Sequence, residues 1–192
     1  MGRPKALLEY QGETFVGRLV RVLSEVAEPT IVALGYHAGV IQDHIREHLE
    51  SMPVTVAINL APENGQLSSL QTALRKIPAN ADGFLFVPVD CPTVKTETVR
   101  RVSNAFAARS AETLLVVPSY GCSDDARHGH PVFASMKIAQ ELLALPLTAS
   151  AREVIHAHRA ETLYVDVDDP GILTDVDDPA AYHDLLEGTQ TS

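Results

Sequence analysis

The sequence has little of what several functional classes require. It contains no tryptophan, five phenylalanines and five tyrosines, which leaves few aromatic rings for stacking nucleic-acid bases. Its 25 acidic residues against 15 lysines and arginines give a net charge of −10, which argues against duplex nucleic acid as a partner. Two cysteines, Cys91 and Cys122, supply neither a disulfide framework nor the spacing of a metal cluster. We therefore expect no nucleic-acid partner.

The sequence also shows no pattern typical of a targeting signal or a membrane-spanning segment. No apolar run approaches the ~20 residues that a membrane-spanning helix needs, and the first residues do not resemble a signal peptide. Gly2 lacks the Ser or Thr expected at the myristoylation spacing, because position 6 is Ala6. The sequence contains no G-x-S-x-G, no Walker loop and no G-x-G-x-x-G motif. These absences predict a cytoplasmic protein with no membrane partner.

Short apolar runs alternate with helical patterns along the chain. The runs predicted as strands are residues 30–34, 54–58, 83–87, 114–117, 131–134 and 163–166. Thr14 is predicted to cap the first helix, and Pro179 to begin the last one. This alternation predicts an α/β fold with a mostly parallel sheet and helices on both faces. The polar interruption near residues 121–135 predicts an irregular or antiparallel excursion.

Two stretches carry the residues best suited to bind an anion and a metal. Gly65-Gln66-Leu67-Ser68-Ser69-Leu70 is a turn that opens a helix, where backbone N–H groups and the helix dipole favour an anion. Asn59 ends the preceding strand, and Asp90 follows the next one, where a carboxylate is well placed to hold a divalent cation. Ser68 and Ser69 also fit simple helix capping, and Asp90 fits a turn residue before Pro92.

A second acidic cluster lies at Asp175, Asp177 and Asp178. Asp178 precedes Pro179 and is predicted to cap the last helix. Strand-like alternation would point Asp175 and Asp177 to one side, and two carboxylates with phosphate oxygens and water are a usual Mg²⁺ arrangement. Lys5 is by itself a surface lysine; it and Arg3 gain a role only if the first residues return to the strand ends.

The histidines and the cysteine of these stretches are weaker candidates. His128 and His130 flank Gly129 without a third ligand nearby in sequence, which is a weak metal signal. Cys91 lies between Asp90 and Pro92 with no neighbouring base, so a buried structural thiol is favoured over a nucleophile.

Five motifs in order resemble the MobA-like nucleotidyltransferases, especially the molybdenum cofactor cytidylyltransferase branch. They are Met1-Gly2-Arg3-Pro4-Lys5-Ala6-Leu7-Leu8, Gly65-Gln66-Leu67-Ser68-Ser69-Leu70, Pro88-Val89-Asp90-Cys91-Pro92, His128-Gly129-His130-Pro131-Val132-Phe133 and Gly171-Ile172-Leu173-Thr174-Asp175-Val176-Asp177-Asp178-Pro179. The resemblance implies a Rossmann-like, three-layer α/β/α nucleotidyltransferase fold. It also implies Mg²⁺-dependent transfer of a nucleoside monophosphate, with CTP favoured as donor, to a phosphorylated acceptor such as the molybdopterin cofactor.

The resemblance assigns roles to residues of these motifs. Lys5 and Asp90 would be catalytic, and Asp90 with Asp177 would hold Mg²⁺. Gly129 and His130 would lie near the acceptor. The expected nucleotide-binding residues are Arg3, Lys5, Asn59, Gly65, Ser68 and Ser69. A molybdoenzyme would be the protein partner.

The family places a strand and a loop of the type L-A-A-G-x-S-x-R directly before M-G-x-P-K, and this sequence starts at that methionine. We expect a start assigned at an internal methionine; the alternative is a truncated protein with a damaged site. Residues 1–187 are predicted to form one MobA-like nucleotidyltransferase domain lacking that first strand and loop, with 188–192 as a disordered tail. The alternative functions are a sugar-phosphate nucleotidyltransferase and a non-catalytic cofactor-binding protein.

Overall fold

The computed structural model describes residues 2–121 and 125–188. The strands are β1 Glu9–Tyr10, β2 Glu13–Thr14, β3 Thr30–Leu34, β4 Val54–Ile58, β5 Gly83–Phe86, β6 Leu115–Tyr120, β7 Arg127–His128, β8 Val132–Ser135 and β9 Thr162–Asp166. The α-helices are α1 Phe15–Ser24, α2 Ala38–His48, α3 Gly65–Leu74, α4 Thr96–Ala107, α5 Met136–Ala144, α6 Ala151–Ala157 and α7 Pro179–Gly188. Cys122 and residues 189–192 of the predicted tail lie outside the described residues, and Gly188 belongs to α7 instead of the tail.

The strands form a mixed arrangement with one antiparallel excursion. Strands β3 and β4 pair in parallel, and so do β6 and β9. Strand β8 lies between β5 and β6 and is antiparallel to both, while β7 is antiparallel to the end of β6. The excursion predicted near residues 121–135 is therefore confirmed, since β7 and β8 both fall within it. The strand predicted at residues 83–87 is observed as β5. Among the described residues, β5 pairs with β8, and this pairing is antiparallel.

Alternate residues of β6 face helices on opposite sides of the sheet. Leu115 belongs to a buried cluster with Leu142 of α5, and Val116 packs with Val102 and Phe106 of α4. Because successive strand residues point to opposite faces, this division places α5 on one face and α4 on the other. The three-layer α/β/α architecture predicted from the sequence is confirmed.

The first helix ties the beginning of the chain to its end. Thr14 caps α1 as predicted, since its Oγ1 accepts a hydrogen bond from the Gly17 N–H at 3.2 Å. Phe15 is fully buried and shares a cluster with Leu8 and Val176. This packing holds the segment around Val176 against the start of the chain, where Lys5 opens a short 3₁₀ turn. Within the described ranges, no helix is long and apolar enough to cross a membrane.

Candidate active site

Three carboxylates and one lysine converge beyond the end of strand β5. The Lys5 ammonium lies 2.9 Å from Oδ1 of Asp177, to which it donates a hydrogen bond, and 3.6 Å from Oδ2 of Asp90. Asp90, Asp175 and Asp177 each present a carboxylate oxygen, and these three oxygens lie within 4.8 Å of one another. The fold therefore places Lys5 beside Asp90 and Asp177, and it places the Asp175 carboxylate in the same cluster. We call Asp90, Asp175 and Asp177 the acid cluster.

The acid cluster is assembled by a segment that alternates like a strand. The Val176 side chain is 1% exposed and packs against Leu8 and Phe15, and its N–H donates to the Asp90 carbonyl at 2.9 Å. With Val176 directed inward, Asp175 and Asp177 on either side of it are exposed and reach the same place. The alternation of the sequence around Val176 is the signal that marks Asp175 as a member.

The charges in the acid cluster shift one another's pKa values. Partial burial opposes the charged form of Lys5, but the hydrogen bond to Asp177 and the charge of Asp90 outweigh it and raise the pKa of the ammonium. The hydrogen bond from Lys5 lowers the pKa of Asp177. Loss of solvent contact, followed by the charges of Asp90 and Asp177, raises the pKa of Asp175. One ammonium thus faces three carboxylates, and the excess negative charge favours a second cation.

The donor set of the acid cluster fits a hard divalent cation. Carboxylate oxygens are the ligands that Mg²⁺ and Mn²⁺ prefer, and Mg²⁺ is commonly held by one or two carboxylates together with substrate phosphates and water. The acid cluster contains neither histidine nor cysteine, so its chemistry does not suit a soft metal. Asp90, Asp175 and Asp177 are the residues that could hold such an ion.

A separate polar network lies where β4 ends and α3 begins. Asn59 is 7% exposed, and its Nδ2 donates to Oγ of Ser68 at 2.8 Å and of Ser69 at 3.0 Å. Its Oδ1 accepts from the Ala61 N–H at 3.0 Å, which fixes the amide's orientation. Ser68 is buried and donates to the Gly65 carbonyl at 2.8 Å, while Gly65 has a φ of +82° that favours glycine. The amide and the Ser68 hydroxyl therefore hold this turn in shape.

Gly129 and His130 contact the segment that leads to the acid cluster. The His130 N–H donates to the Ile172 carbonyl at 3.1 Å, and its ring meets that of Phe86 at a centroid distance of 5.5 Å. Nδ1 of His130 is buried and has no hydrogen-bond partner among the described residues. Burial lowers the pKa of this imidazole. Because this nitrogen is enclosed by protein, a ligand could reach it only if the residues around it moved.

Gly129→Ala is expected to destabilise the protein and disturb the acid cluster. A Cβ at position 129 would lie 1.9 Å from the Ile172 carbonyl oxygen, so the backbone that leads to Asp175 must move. Forced shifts of packed backbone cost about 1–3 kcal/mol. Urea unfolding should show a loss of about 2 kcal/mol in the free energy of unfolding.

Gly39→Ala is the matched control for that prediction. Gly39 lies in α2, where a Cβ would have no atom within 4 Å, and alanine favours a helix over glycine by roughly 0.5–1 kcal/mol. This variant should be at least as stable as the original protein. Equal stability of Gly129→Ala and the original protein would contradict the close approach to Ile172.

Arg3 and Cys91 differ in their relation to the acid cluster: Arg3 pairs with Glu9, whereas the Cys91 Sγ donates a long hydrogen bond of 3.9 Å to Oδ1 of Asp90. The Arg3 guanidinium lies 3.9 Å from Glu9, and both side chains are exposed. Cys91 is buried; burial, and next the charge of Asp90, raise the pKa of its thiol to about 12. Such a thiol stays protonated near neutral pH, which agrees with a structural role and not a nucleophilic one.

Solved structures share this architecture over nearly the whole chain. The Rv0371c protein of Mycobacterium tuberculosis H37Rv, in a complex with manganese, has a TM-score of 0.73 and 29% identity, covering 97% of this chain and 93% of that one. A nucleotidyl transferase from Methanothermobacter has a TM-score of 0.77 at 22% identity, covering 98% and 86%. The second likeness is evidence for the fold alone.

The curated relatives match a shorter part of the chain than the solved structures do, and a family model identifies the family. A "Probable molybdenum cofactor guanylyltransferase" of Bacillus cytotoxicus is 28% identical over 102 residues, which is 53% of this chain and 48% of that protein. The chain thus spans about half the length of the curated relatives it matches. The model of the MobA-like NTP transferase domain matches residues 1–162. This match covers most of the sequence and all of the first eight strands, and the chain belongs to the MobA-like NTP transferase family.

Proposed function

We propose that the protein is a nucleotidyltransferase that depends on a divalent cation and moves a nucleoside monophosphate from an NTP to a phosphorylated acceptor. The observation that carries the proposal is the meeting of Lys5 with Asp90, Asp175 and Asp177, which come from three distant regions of the sequence. The family name supports the reaction type, and the curated relatives' names support the molybdopterin cofactor as acceptor.

The reaction needs little proton transfer from the protein. An oxygen of the acceptor phosphate forms a bond to the α-phosphorus, the bond from that phosphorus to the oxygen bridging to the β-phosphate breaks, and pyrophosphate leaves with the electron pair. Because the acceptor phosphate is already ionised, positioning and charge neutralisation provide most of the catalysis. Three carboxylates and one ammonium can meet this requirement by holding a cation and offsetting charge.

The chain's residues divide between the metal and the phosphates. Asp90 and Asp177, joined by Asp175, would hold Mg²⁺ or Mn²⁺, which when bound neutralises charge on the α-phosphate and polarises it. The manganese in the solved Rv0371c complex supports a divalent ion of this class. Lys5, released from Asp177, would offset charge on the departing pyrophosphate.

The remaining candidates would bind the two substrates. Gly65, Ser68 and Ser69 would lie along the nucleotide, with Arg3 and Asn59 as further candidates. The Ser69 hydroxyl accepts from Asn59, so its own proton remains to donate to a nucleotide. Gly129 and His130 would approach the acceptor, and their contacts with Ile172, on the segment that leads to Asp175, support that placement.

The site-bearing domain would extend past the family match to residue 187. Strand β9 pairs with β6 along five residues, Val176 is buried against Phe15, and the Tyr182 ring packs edge-on to that of Phe15 at 5.9 Å. These contacts support one domain. The cytoplasmic location and the molybdoenzyme partner stay predictions.

The base and the acceptor are tested together by pyrophosphate release. CTP is the donor that the resemblance to the cytidylyltransferase branch implies, and GTP is the alternative because the curated relatives are named guanylyltransferases. CTP, GTP and UTP should be tested with Mg²⁺ or Mn²⁺ against the molybdopterin cofactor and against sugar phosphates. Release only with a sugar phosphate would favour the sugar-phosphate nucleotidyltransferase.

Calorimetry separates an enzyme from a non-catalytic binding protein. We expect an NTP to bind in the presence of Mg²⁺, and the binding to weaken when EDTA removes the metal. Binding of the cofactor without any binding of CTP, GTP or UTP would instead support a protein that only carries the cofactor.

A further inference from the structure

Asp169 is a buried carboxylate outside the acid cluster. It is 1% exposed, and the described residues place no cation in an ion pair with it. It accepts three hydrogen bonds instead, from the Lys95 N–H at 2.9 Å, the Thr98 hydroxyl at 2.6 Å and the Gly171 N–H at 2.9 Å. Burying a carboxylate is unfavourable unless its hydrogen bonds are satisfied, so this arrangement needs a reason in the fold.

The first two donors belong to the start of helix α4. Lys95 occupies the N-cap position, and its side chain makes no capping hydrogen bond. The free N–H groups and the positive dipole end of a helix N-terminus both favour a carboxylate. Asp169 therefore caps α4 from a distant part of the chain, since it lies 74 residues beyond Lys95.

The third donor belongs to the segment that carries two members of the acid cluster. Gly171 follows Asp169 closely, and its carbonyl accepts from the Thr93 hydroxyl at 3.2 Å. A Cβ on Gly171 would lie 2.7 Å from the Thr93 carbonyl oxygen, so the two backbones are in close contact. The same segment reaches Asp90 through the Val176 N–H at 2.9 Å.

These contacts join two strips of backbone, residues 90–98 and 169–177. Asp90 lies on the first strip, and Asp175 and Asp177 lie on the second. The separation of their carboxylates depends on how the strips are held together, and Asp169 is the one buried charged side chain that hydrogen-bonds to both within the described part of the chain.

We propose that Asp169 is a positioning residue that sets the geometry of the acid cluster for a divalent cation. The inference rests on the proposed function for its purpose, because it assigns Asp169 to the same metal site. It makes a claim of its own: neutralising Asp169 changes metal binding although its carboxylate is not a member of the acid cluster. Changing a group that orients a metal ligand typically lowers the metal affinity 10–100-fold.

Asp169→Asn is the main test, and Asp168→Asn is the matched control. Asn keeps the size of the side chain, but its NH₂ group cannot accept a hydrogen bond, so in either orientation of the amide at least one of the three donors loses its acceptor. Asp168 is the exposed neighbour, and only its backbone carbonyl, which the substitution keeps, accepts from the Lys95 ammonium. Mn²⁺ binding to the metal-free protein, followed by electron paramagnetic resonance without nucleotide, is the readout.

Asp169→Asn is expected to weaken Mn²⁺ binding about 10–100-fold, and Asp168→Asn to leave it within twofold. Amide hydrogen exchange over residues 170–177 should become faster in Asp169→Asn alone. If transfer activity is found, its rate should recover toward the original at saturating Mn²⁺, because the ligands themselves are unchanged. A residue that only supports folding would lower the rate at every metal concentration.

Thr98→Val and Thr98→Ser keep the test decisive if Asp169→Asn does not fold. Valine removes one of the three hydrogen bonds to Asp169, and serine keeps it. We expect weaker Mn²⁺ binding in Thr98→Val and restored binding in Thr98→Ser. Unchanged Mn²⁺ affinity in a folded Asp169→Asn or Thr98→Val variant would overturn the inference. An original protein that binds Mn²⁺ but transfers no nucleotide would instead count against the proposed function.

Discussion

Replacing Asp90 with alanine is expected to lower the rate of nucleotidyl transfer about 1000-fold, since a metal's charge stabilisation is worth several kcal/mol and each 1.36 kcal/mol is tenfold. The fold should survive. Val176 hydrogen-bonds to the backbone carbonyl of Asp90, which alanine keeps, and one negative charge leaves a crowded cluster. Asp177→Ala should act in the same direction, because its carboxylate belongs to the same acid cluster and is proposed to hold the same cation.

Pyrophosphate release at saturating NTP, with circular dichroism on the same samples, measures this effect. Asp43→Ala provides the control: Asp43 is an exposed carboxylate on α2 whose partner is Arg46 at 2.8 Å, so its removal should leave the rate unchanged. Metal-dependent activity retained near the original level in both Asp90→Ala and Asp177→Ala would remove these carboxylates from the proposed mechanism.

Local pattern was sufficient for much of the fold. Strands β3 and β4 are compact apolar runs, each closed by a turn residue, and both formed with the bounds that their composition predicts. Thr14 at the start of α1 and Asp178 at the start of α7 act as the predicted caps, the latter accepting from the Ala181 N–H at 2.8 Å. Such features depend on neighbouring residues, which a sequence displays directly.

Strand pairing was harder to predict because it depends on distant segments. The apolar run that became β5 indicates a buried strand equally well whether its neighbour is parallel or antiparallel. Its observed ladder joins Gly83 to Ser135 and Phe86 to Val132. Nothing in the run itself specifies that partner, because ladder hydrogen bonds involve only the backbone.

The residues of the candidate site also divide into those that local sequence indicates and those that only distant contacts bring into place. Asp177 is found from the alternation around Val176, but a lone lysine such as Lys5 carries no local sign that it will meet a carboxylate 172 residues away. Asp169 precedes Pro170 as Asp178 precedes Pro179, so its sequence context indicates only the local cap that it forms with the Gly171 N–H. Its donors Lys95 and Thr98 lie more than 70 residues before it, and only the folded chain brings them together.

The position of Lys5 leads to a prediction in which binding and catalysis change in opposite directions. Its ammonium lies where a cation held by Asp90 and Asp177 would compete with it, 3.6 Å and 2.9 Å from their oxygens. Lys5→Met removes that competitor while keeping a side chain of similar length. We therefore expect tighter Mn²⁺ binding to the metal-free variant. Transfer should nevertheless slow, because the charge proposed to face the departing pyrophosphate is gone.

The loss in rate should be about 10–100-fold, since hydrogen bonds to charged groups are worth roughly 1.5–3 kcal/mol. Mn²⁺ titration and pyrophosphate release, measured on the same preparation, test both halves. Lys137→Met is the control, because Lys137 is exposed on α5 and should change neither quantity. If Lys5→Met bound Mn²⁺ more weakly, the ammonium would be acting as a support for the carboxylates and not as a competitor for their cation. If instead Mn²⁺ binding tightened and the rate held, Lys5 would be excluded from the chemical step while the acid cluster kept its assignment.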